Sequence, residues 1–176
     1  MRTLVVNALR LPGKRTAMGR HIEMLTKHWS RTNVPFDRVV LLAPRDAELT
    51  DLGDKTEIVF ERLPSGLPNL AWEQAVLANS ARKAAVLFCP SYTCPIIYPG
   101  RIVVANHGIY EALPQEFRLM ERLRATPINF LSVKRADHII ANSLATKGDL
   151  IRYFGVPERK LSVILPAASD LCWESY

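Results

Sequence analysis

The chain predicts an α/β fold: a Rossmann-like parallel sheet with helices on both faces. Three observations carry this. Short apolar runs alternate with segments of helical period from one end of the chain to the other. The run Ala85-Val86-Leu87-Phe88-Cys89 is apolar at every position, as a strand covered on both faces must be. Proline or glycine punctuates the junctions, at Pro35, Pro44, Pro90, Gly155 and Pro166.

Taken in order, Leu4–Leu9 reads as a buried first strand, followed by a loop carrying Pro12 and Gly13. Met18, Ile22, Leu25 and Trp29 then form one apolar stripe on a helix from about Met18 to Ser30. Arg38–Ala43 and Thr56–Phe60 are the second and third strands. A helix follows from about Leu70 to Lys83, with Trp72, Ala75, Val76 and Asn79 on related faces. Ala85–Cys89 and Arg101–Asn106 are the next strands. A helical region spans Glu116 to Arg135 and is expected to break near Thr126-Pro127, because proline removes a helix donor. His138–Ala141 is a strand, and Ser143 caps a helix whose Leu144, Leu150, Ile151 and Phe154 are expected to face inward. Gly155 stops that helix, and Leu161–Leu165 closes the series.

The 176 residues suit a single domain, with no internal repeat. At 48% hydrophobic and 23% charged, the chain can bury a core without disulfide or metal staples. Its three cysteines, Cys89, Cys94 and Cys172, form no CxxC pair and read as buried thiols. The first apolar run is too short for a signal core, and no run approaches the roughly 20 apolar residues of a spanning helix. The expected location is cytoplasmic. A net charge of +6 favours anionic partners. The basic residues are dispersed and lack an aromatic-basic stripe, so nucleic acid is not among the expected partners.

In a parallel sheet of this kind ligands sit at the C-terminal edge, near the point where strand order reverses. That rule selects the loops at Arg10–Arg20, Pro90–Pro95, Asn106–Gly108 and Asn142–Ser143. Gly13-Lys14 is not a P-loop, since its first glycine is missing and Arg15 stands where a magnesium-binding hydroxyl belongs. There is no G-x-G-x-x-G and no G-x-S-x-G, and no carboxylate pair can be assigned. Gly19 at a helix start lets an anion approach unpaired N–H groups, and Arg20 offers a planar donor fork; a solvated turn is the plain alternative. His107, just past an apolar strand, suits a sugar hydroxyl or a proton transfer; a structural histidine bonded to nearby backbone is the alternative. His21, His28 and His138 carry less weight and are too scattered for a metal site. Asn142 and Ser143 most simply cap a helix, with Lys147 one turn in.

Several stretches together resemble the N-terminal half of group 1 glycosyltransferases, the retaining nucleotide-sugar enzymes of GT-B fold. They are Ala17-Met18-Gly19-Arg20-His21, Cys89-Pro90-Ser91-Tyr92 and Val103-Val104-Ala105-Asn106-His107-Gly108. The strongest is Lys134-Arg135-Ala136-Asp137-His138-Ile139-Ile140-Ala141-Asn142-Ser143, running on to Tyr153-Phe154-Gly155-Val156-Pro157 and Leu161–Pro166. The chain departs from the family at Gly108, where an aspartate is usual, and at Ala167-Ala168-Ser169-Asp170, where Asn-Gly-Val-Asp is usual.

The resemblance implies that residues 1–170 are the acceptor-side lobe and 171–176 the start of a linker. A C-terminal donor-binding domain would then be missing, and the lobe would be inactive alone. It implies sugar transfer from a nucleotide-sugar to a glycan or lipid-linked acceptor, in polysaccharide biosynthesis, with no cofactor and no metal. Gly19 and Arg20 would lie by the donor phosphates. His107 would be catalytic, against the donor sugar or the reacting hydroxyl. Pro90, Ser91, Tyr92, Asn106, Asn142, Ser143 and Lys147 would line the acceptor side. Two other readings stay open: a non-catalytic sugar- or phosphate-binding module of this fold, and an unrelated Rossmann-like enzyme. Peripheral contact with the inner membrane face is a further expectation. Arg118, Arg122, Arg124, Lys134 and Arg135 share a helical stretch with Leu119, Met120, Leu123, Phe130 and Leu131; a helix with a solvated basic face is the alternative.

Overall fold

The computed structural model describes residues 1–11, 16–45, 49–64, 66–109 and 119–166, with the backbone alone over 119–125. The Gly13–Arg15 loop, Glu111, Glu116, Arg118, the Ala167–Asp170 stretch and Cys172 lie outside the described residues. The strands are β1 (Thr3–Asn7), β2 (Arg38–Ala43), β3 (Glu57–Arg62), β4 (Val86–Cys89), β5 (Ile102–Asn106), β6 (His138–Ala141) and β7 (Leu161–Val163). They form one seven-stranded sheet in the order β3-β2-β1-β4-β5-β6-β7. Every pairing is parallel. The order reverses between β1 and β4, and in parallel sheets of this kind ligands bind beyond the C-terminal ends of the strands at such a point.

Side chains alternate across the sheet, so successive residues feed opposite cores. Val5, Val40, Leu42, Leu87, Ile102, Val104 and Ile139 pack on one face with Trp72, Leu77, Val133, Leu150 and Phe154. Leu4, Val6, Val39, Leu41, Phe88 and Ala105 pack on the other with Ile22, Leu25 and Trp29. Cys89 and Cys94 are free, buried thiols. Burial holds the Cys89 thiol well above its ordinary range and pushes Cys94 up to about 12, so neither is a thiolate near neutral pH.

Helix α1 (Ala17–Arg31) starts at Thr16, whose hydroxyl accepts the Gly19 N–H at 3.1 Å. A Cβ on Gly19 would lie 2.5 Å from the Arg10 carbonyl oxygen. The group pressed against that glycine is thus the chain's own β1 exit.

The second helical region is composite. α2 (Asn69–Trp72) runs into a π-helical turn (Glu73–Leu77), then α3 (Ala78–Ser80) and a 3₁₀ turn (Ala81–Lys83). The wider π turn rotates the following residues relative to an ideal α-helix. The buried face is therefore Trp72, Glu73, Leu77, Ala78 and Ala81, whereas Ala75 and Asn79, expected beside Trp72, are exposed.

Helix α4 (Leu119–Arg135) is continuous through Pro127, against the expected break. Pro127 is exposed, where water can take the carbonyl freed by its missing N–H. In α5 (Leu144–Phe154) the inward stripe is Thr146, Leu150 and Phe154, four residues apart. Leu144 and Ile151, expected inward, fall off that stripe; Leu144 is 75% exposed. Ser143 caps α5 by accepting the Thr146 N–H, and Gly155 closes it in the left-handed conformation, φ +58°. β7 stops at Val163, and Leu165, expected within the strand, is 69% exposed.

Candidate functional site

Two of the expected edge loops, Pro90–Pro95 and Asn142–Ser143, meet at His107. β5 delivers Asn106 and His107 to the C-terminal edge; Asn106 is fully buried and gives its amide to Asn129 Oδ1 at 3.1 Å. Asn106 Oδ1 accepts the Gly108 N–H at 3.0 Å, which folds the chain sharply behind His107. Gly108 has φ +141°, a conformation that side chains disfavour. This gives a physical reason for glycine at the position where the resembled family carries aspartate.

His107 Nε2 lies 3.0 Å from the Pro90 carbonyl oxygen. A carbonyl only accepts, so Nε2 carries the proton and Nδ1 is left as the basic nitrogen. The Tyr92 ring meets the imidazole edge-on at 5.4 Å between centroids. Tyr92 itself holds φ +66°, a strained backbone for a bulky residue, and its N–H donates to the Ala105 carbonyl at 3.2 Å. The loop after β4 is thereby laced to the end of β5. The neighbouring Ser91 Oγ is buried with no hydrogen-bond partner among the described residues.

His21, one turn into α1, meets His107 edge-on, with centroids 5.4 Å apart and an interplanar angle of 86°. Burial lowers the pKa of both imidazoles; the charge of His107 lowers His21 further, while the Pro90 bond partly opposes the shift at His107. The pair is neutral around pH 7. His21 was legible as a helix residue just after Gly19-Arg20, but its placement against His107 was not.

Asn142 at the β6 exit donates to the His107 carbonyl at 3.3 Å and accepts from Thr146 Oγ1 at 2.8 Å. It thus joins the helix cap of α5 to the His107 backbone. Lys147 is turned elsewhere, to Glu158 Oε1 at 2.7 Å. Gly19 is buried in the first turn of α1, and Arg20 is exposed beside it. Of the expected residues, Pro90, Tyr92, Asn106 and Asn142 contact His107 or its backbone neighbours.

Beneath this cluster lies a residue that sequence patterning gave no reason to choose. Glu73, in the π-helical turn, is 2% exposed. Its Oε2 accepts from Asn7 Nδ2 at 2.8 Å and from Thr93 Oγ1 at 3.0 Å. Burial raises its pKa, against the hydrogen bonds from Thr93 and Asn7 and the positive charge of Arg10. A glutamate within a helix reads as a solvated side chain, so no pattern announces it.

Among the described residues no group of three or more His, Cys, Asp or Glu could hold a metal ion, and no helix is long and apolar enough to cross a membrane. Arg135, one of the cations of the expected basic surface, instead donates to the Tyr98 and Gly100 carbonyls. Lys134 reaches the Gly155 carbonyl at 3.3 Å and lies over the Phe130 ring.

Comparison with known proteins gives the same fold. HepE of Anabaena, solved in complex with UDP, superposes with a TM-score of 0.60 at 16% identity. The match covers 96% of this chain and 45% of HepE. The lipopolysaccharide outer core galactosyltransferase WaaB, in its apo form, gives 0.54 at 12% identity over 95% of this chain and 46% of its own. A glycosyltransferase from Rickettsia africae gives 0.56 at 13% identity over 96% of this chain and 44% of its own. The chain therefore spans a little under half the length of each of these structures, as one Rossmann-like lobe of a GT-B architecture does. No curated protein matches the sequence. The family model of Glycosyltransferase Family 4 matches residues 18–168, a span running from the start of α1 past β7, and the chain belongs to that family.

Proposed function

We propose that this domain is the acceptor-side lobe of a retaining enzyme that moves a sugar from a nucleotide-sugar donor to a glycan or lipid-linked acceptor. The observation that carries the reading is His107 at the sheet's C-terminal edge, its Nε2 held by the Pro90 carbonyl and its ring set between His21 and Tyr92. In the transfer, the acceptor oxygen bonds the anomeric carbon as the bond from that carbon to the diphosphate oxygen breaks. The acceptor hydroxyl's proton passes to the departing diphosphate oxygen, and retention requires that the acceptor enters on the face this oxygen leaves. A neutral imidazole whose Nε2 carries the proton has its lone pair on Nδ1, which can accept a hydrogen bond from that hydroxyl or from the donor sugar near neutral pH. Arg20, exposed in the first turn of α1, suits the donor's phosphates, whereas the Gly19 N–H is already held by Thr16; the net charge of +6 favours such an anion. The UDP held by HepE supports a nucleotide-sugar as the donor class.

Transfer needs donor and acceptor held together, which one lobe of a cleft does not achieve. The test pairs the chain with a GT-B donor-binding lobe, in cis or in trans, and follows labelled sugar from a panel of nucleotide-sugars onto glycan and lipid-linked acceptors. The expected result is no transfer by the 176 residues alone, transfer by the pair, and a fall of about 100-fold or more in kcat for His107→Ala. Full turnover by the isolated chain, or an unchanged kcat for His107→Ala, would refute the reading.

A further inference from the structure

Glu73 connects the two loops that frame the site. Through Oε2 it holds Asn7, at the end of β1, and Thr93, in the loop after β4. Asn7 Oδ1 in turn accepts the Leu9 N–H at 3.2 Å, shaping the turn whose Arg10 carbonyl packs on Gly19. The adjacent Gln74 secures the same β4 loop further along. Its amide donates to the Cys94 carbonyl at 3.0 Å and its Oε1 accepts the Ile96 N–H at 2.7 Å. Thr93 follows Tyr92 directly, and the short segment from Pro90 to Tyr92 supplies both the carbonyl on His107 Nε2 and the ring against its edge.

A buried carboxylate is costly to hold without donors, and Glu73 has them in Asn7 and Thr93. Glu73 almost entirely lacks solvent exposure, so it acts through its neighbours and not on a ligand directly. The groups whose charge or titration bears on it are Arg10 from the β1 exit, Cys89 from β4 and Cys94 from the β4 loop. Both thiols are protonated near neutral pH, so among these groups the charge that acts on Glu73 is that of Arg10.

We propose that Glu73 is a positioning residue for His107: it clamps the β4 loop to the β1 exit, and this clamp keeps the Pro90 carbonyl on Nε2 and the basic lone pair on Nδ1. The inference rests on the reading of His107 as the working group for its bearing on transfer. The clamp itself is measurable in the chain alone.

The experiment is nitrogen-15 NMR of the histidine side chains across pH, on the wild-type chain and on Thr93→Val, Thr93→Ser and Glu73→Gln. Thr93→Val keeps the shape and removes the hydroxyl; Thr93→Ser restores it. The expected wild-type result is a His107 Nε2 proton protected from solvent exchange by its bond to the Pro90 carbonyl. Loss of one such bond corresponds to exchange faster by about tenfold, expected in Thr93→Val, with wild-type protection regained in Thr93→Ser and kept in Glu73→Gln, whose amide oxygen accepts the same two bonds. If Glu73→Gln does not fold, the Thr93 pair decides. The proposal is overturned if Thr93→Val lowers the melting temperature yet leaves the Nε2 proton and the His107 titration as in wild type, or if Thr93→Ser fails to rescue. An absence of sugar transfer would count against the proposed function and leave this result standing.

Discussion

His21 and His107 stand edge to face, 5.4 Å between ring centroids, one from the first helix and the other from the exit of β5. Each is displaced from its ordinary pKa of 6.5 in the same direction, downward, chiefly by burial. In the folded protein both therefore titrate below the value they have in the unfolded chain. Below pH 6.5 the unfolded chain binds more protons at these positions, so their contribution to stability is complete above that pH and is lost as pH falls through the folded values.

Urea unfolding measured from about pH 7.5 to about pH 5 should show stability declining toward acid, and the double variant His21→Gln, His107→Gln should flatten that decline. In the single variant His107→Gln, the pKa of His21 should rise, since the charge of His107 is one of the causes that lower it. An identical slope in wild type and double variant would show that the pair does not titrate as described.

Gly19→Ala separates helix propensity from packing. On an open helix the change would stabilise by roughly 1 kcal/mol. Here the new Cβ would sit 2.5 Å from the Arg10 carbonyl oxygen, a backbone atom with little room to move. We expect a net loss of about 1–3 kcal/mol in chemical denaturation, and a gain would mean that the β1 exit is not packed as described.

Gly148 within α5 and Gly155 at its C-terminal cap provide a matched pair. Gly148 has nothing within 4 Å of an added Cβ, so Gly148→Ala should stabilise by about 0.5–1 kcal/mol. Gly155 lies at φ +58°, so Gly155→Ala should cost about 1–2 kcal/mol. Thermal melts of the two variants should therefore shift in opposite directions.

Arg135 tests whether a basic residue in the strongest sequence motif serves the surface or the interior. Its guanidinium donates to the Tyr98 and Gly100 carbonyls, near Asp137, whose Oδ2 accepts the Ile102 N–H at 2.8 Å. Arg135→Ala should cost about 2–4 kcal/mol, because two carbonyls lose charge-assisted bonds. Arg135→Lys should recover only part of that, since an ammonium cannot reproduce the planar fork. Anionic vesicles should bind the wild type and Arg135→Ala alike, judged by co-sedimentation at low salt. A loss of binding specific to Arg135→Ala would return this residue to the surface.

The order of strands and helices was legible because a strand buried on both faces must be apolar and a helix on its surface must be amphipathic. Ala85–Cys89 and the Met18–Trp29 stripe show those two rules. His107, Tyr92 and Asn142 could be singled out because each stands where an apolar run ends, and in a parallel sheet such ends share one edge. Local chemistry likewise announced the Ser143 cap and the Gly155 stop.

Three features were decided by the tertiary structure alone. The continuity of α4 through Pro127 depends on which side of that helix meets water. The outward set of Leu144 and Ile151 depends on which stripe of α5 the sheet selects. The joining of Glu73 to Asn7 and Thr93, and of His21 to His107, depends on contacts between elements far apart in the chain. Sequence reports what each segment can bury by itself; which polar groups then meet is fixed only when the sheet order brings their loops to one edge.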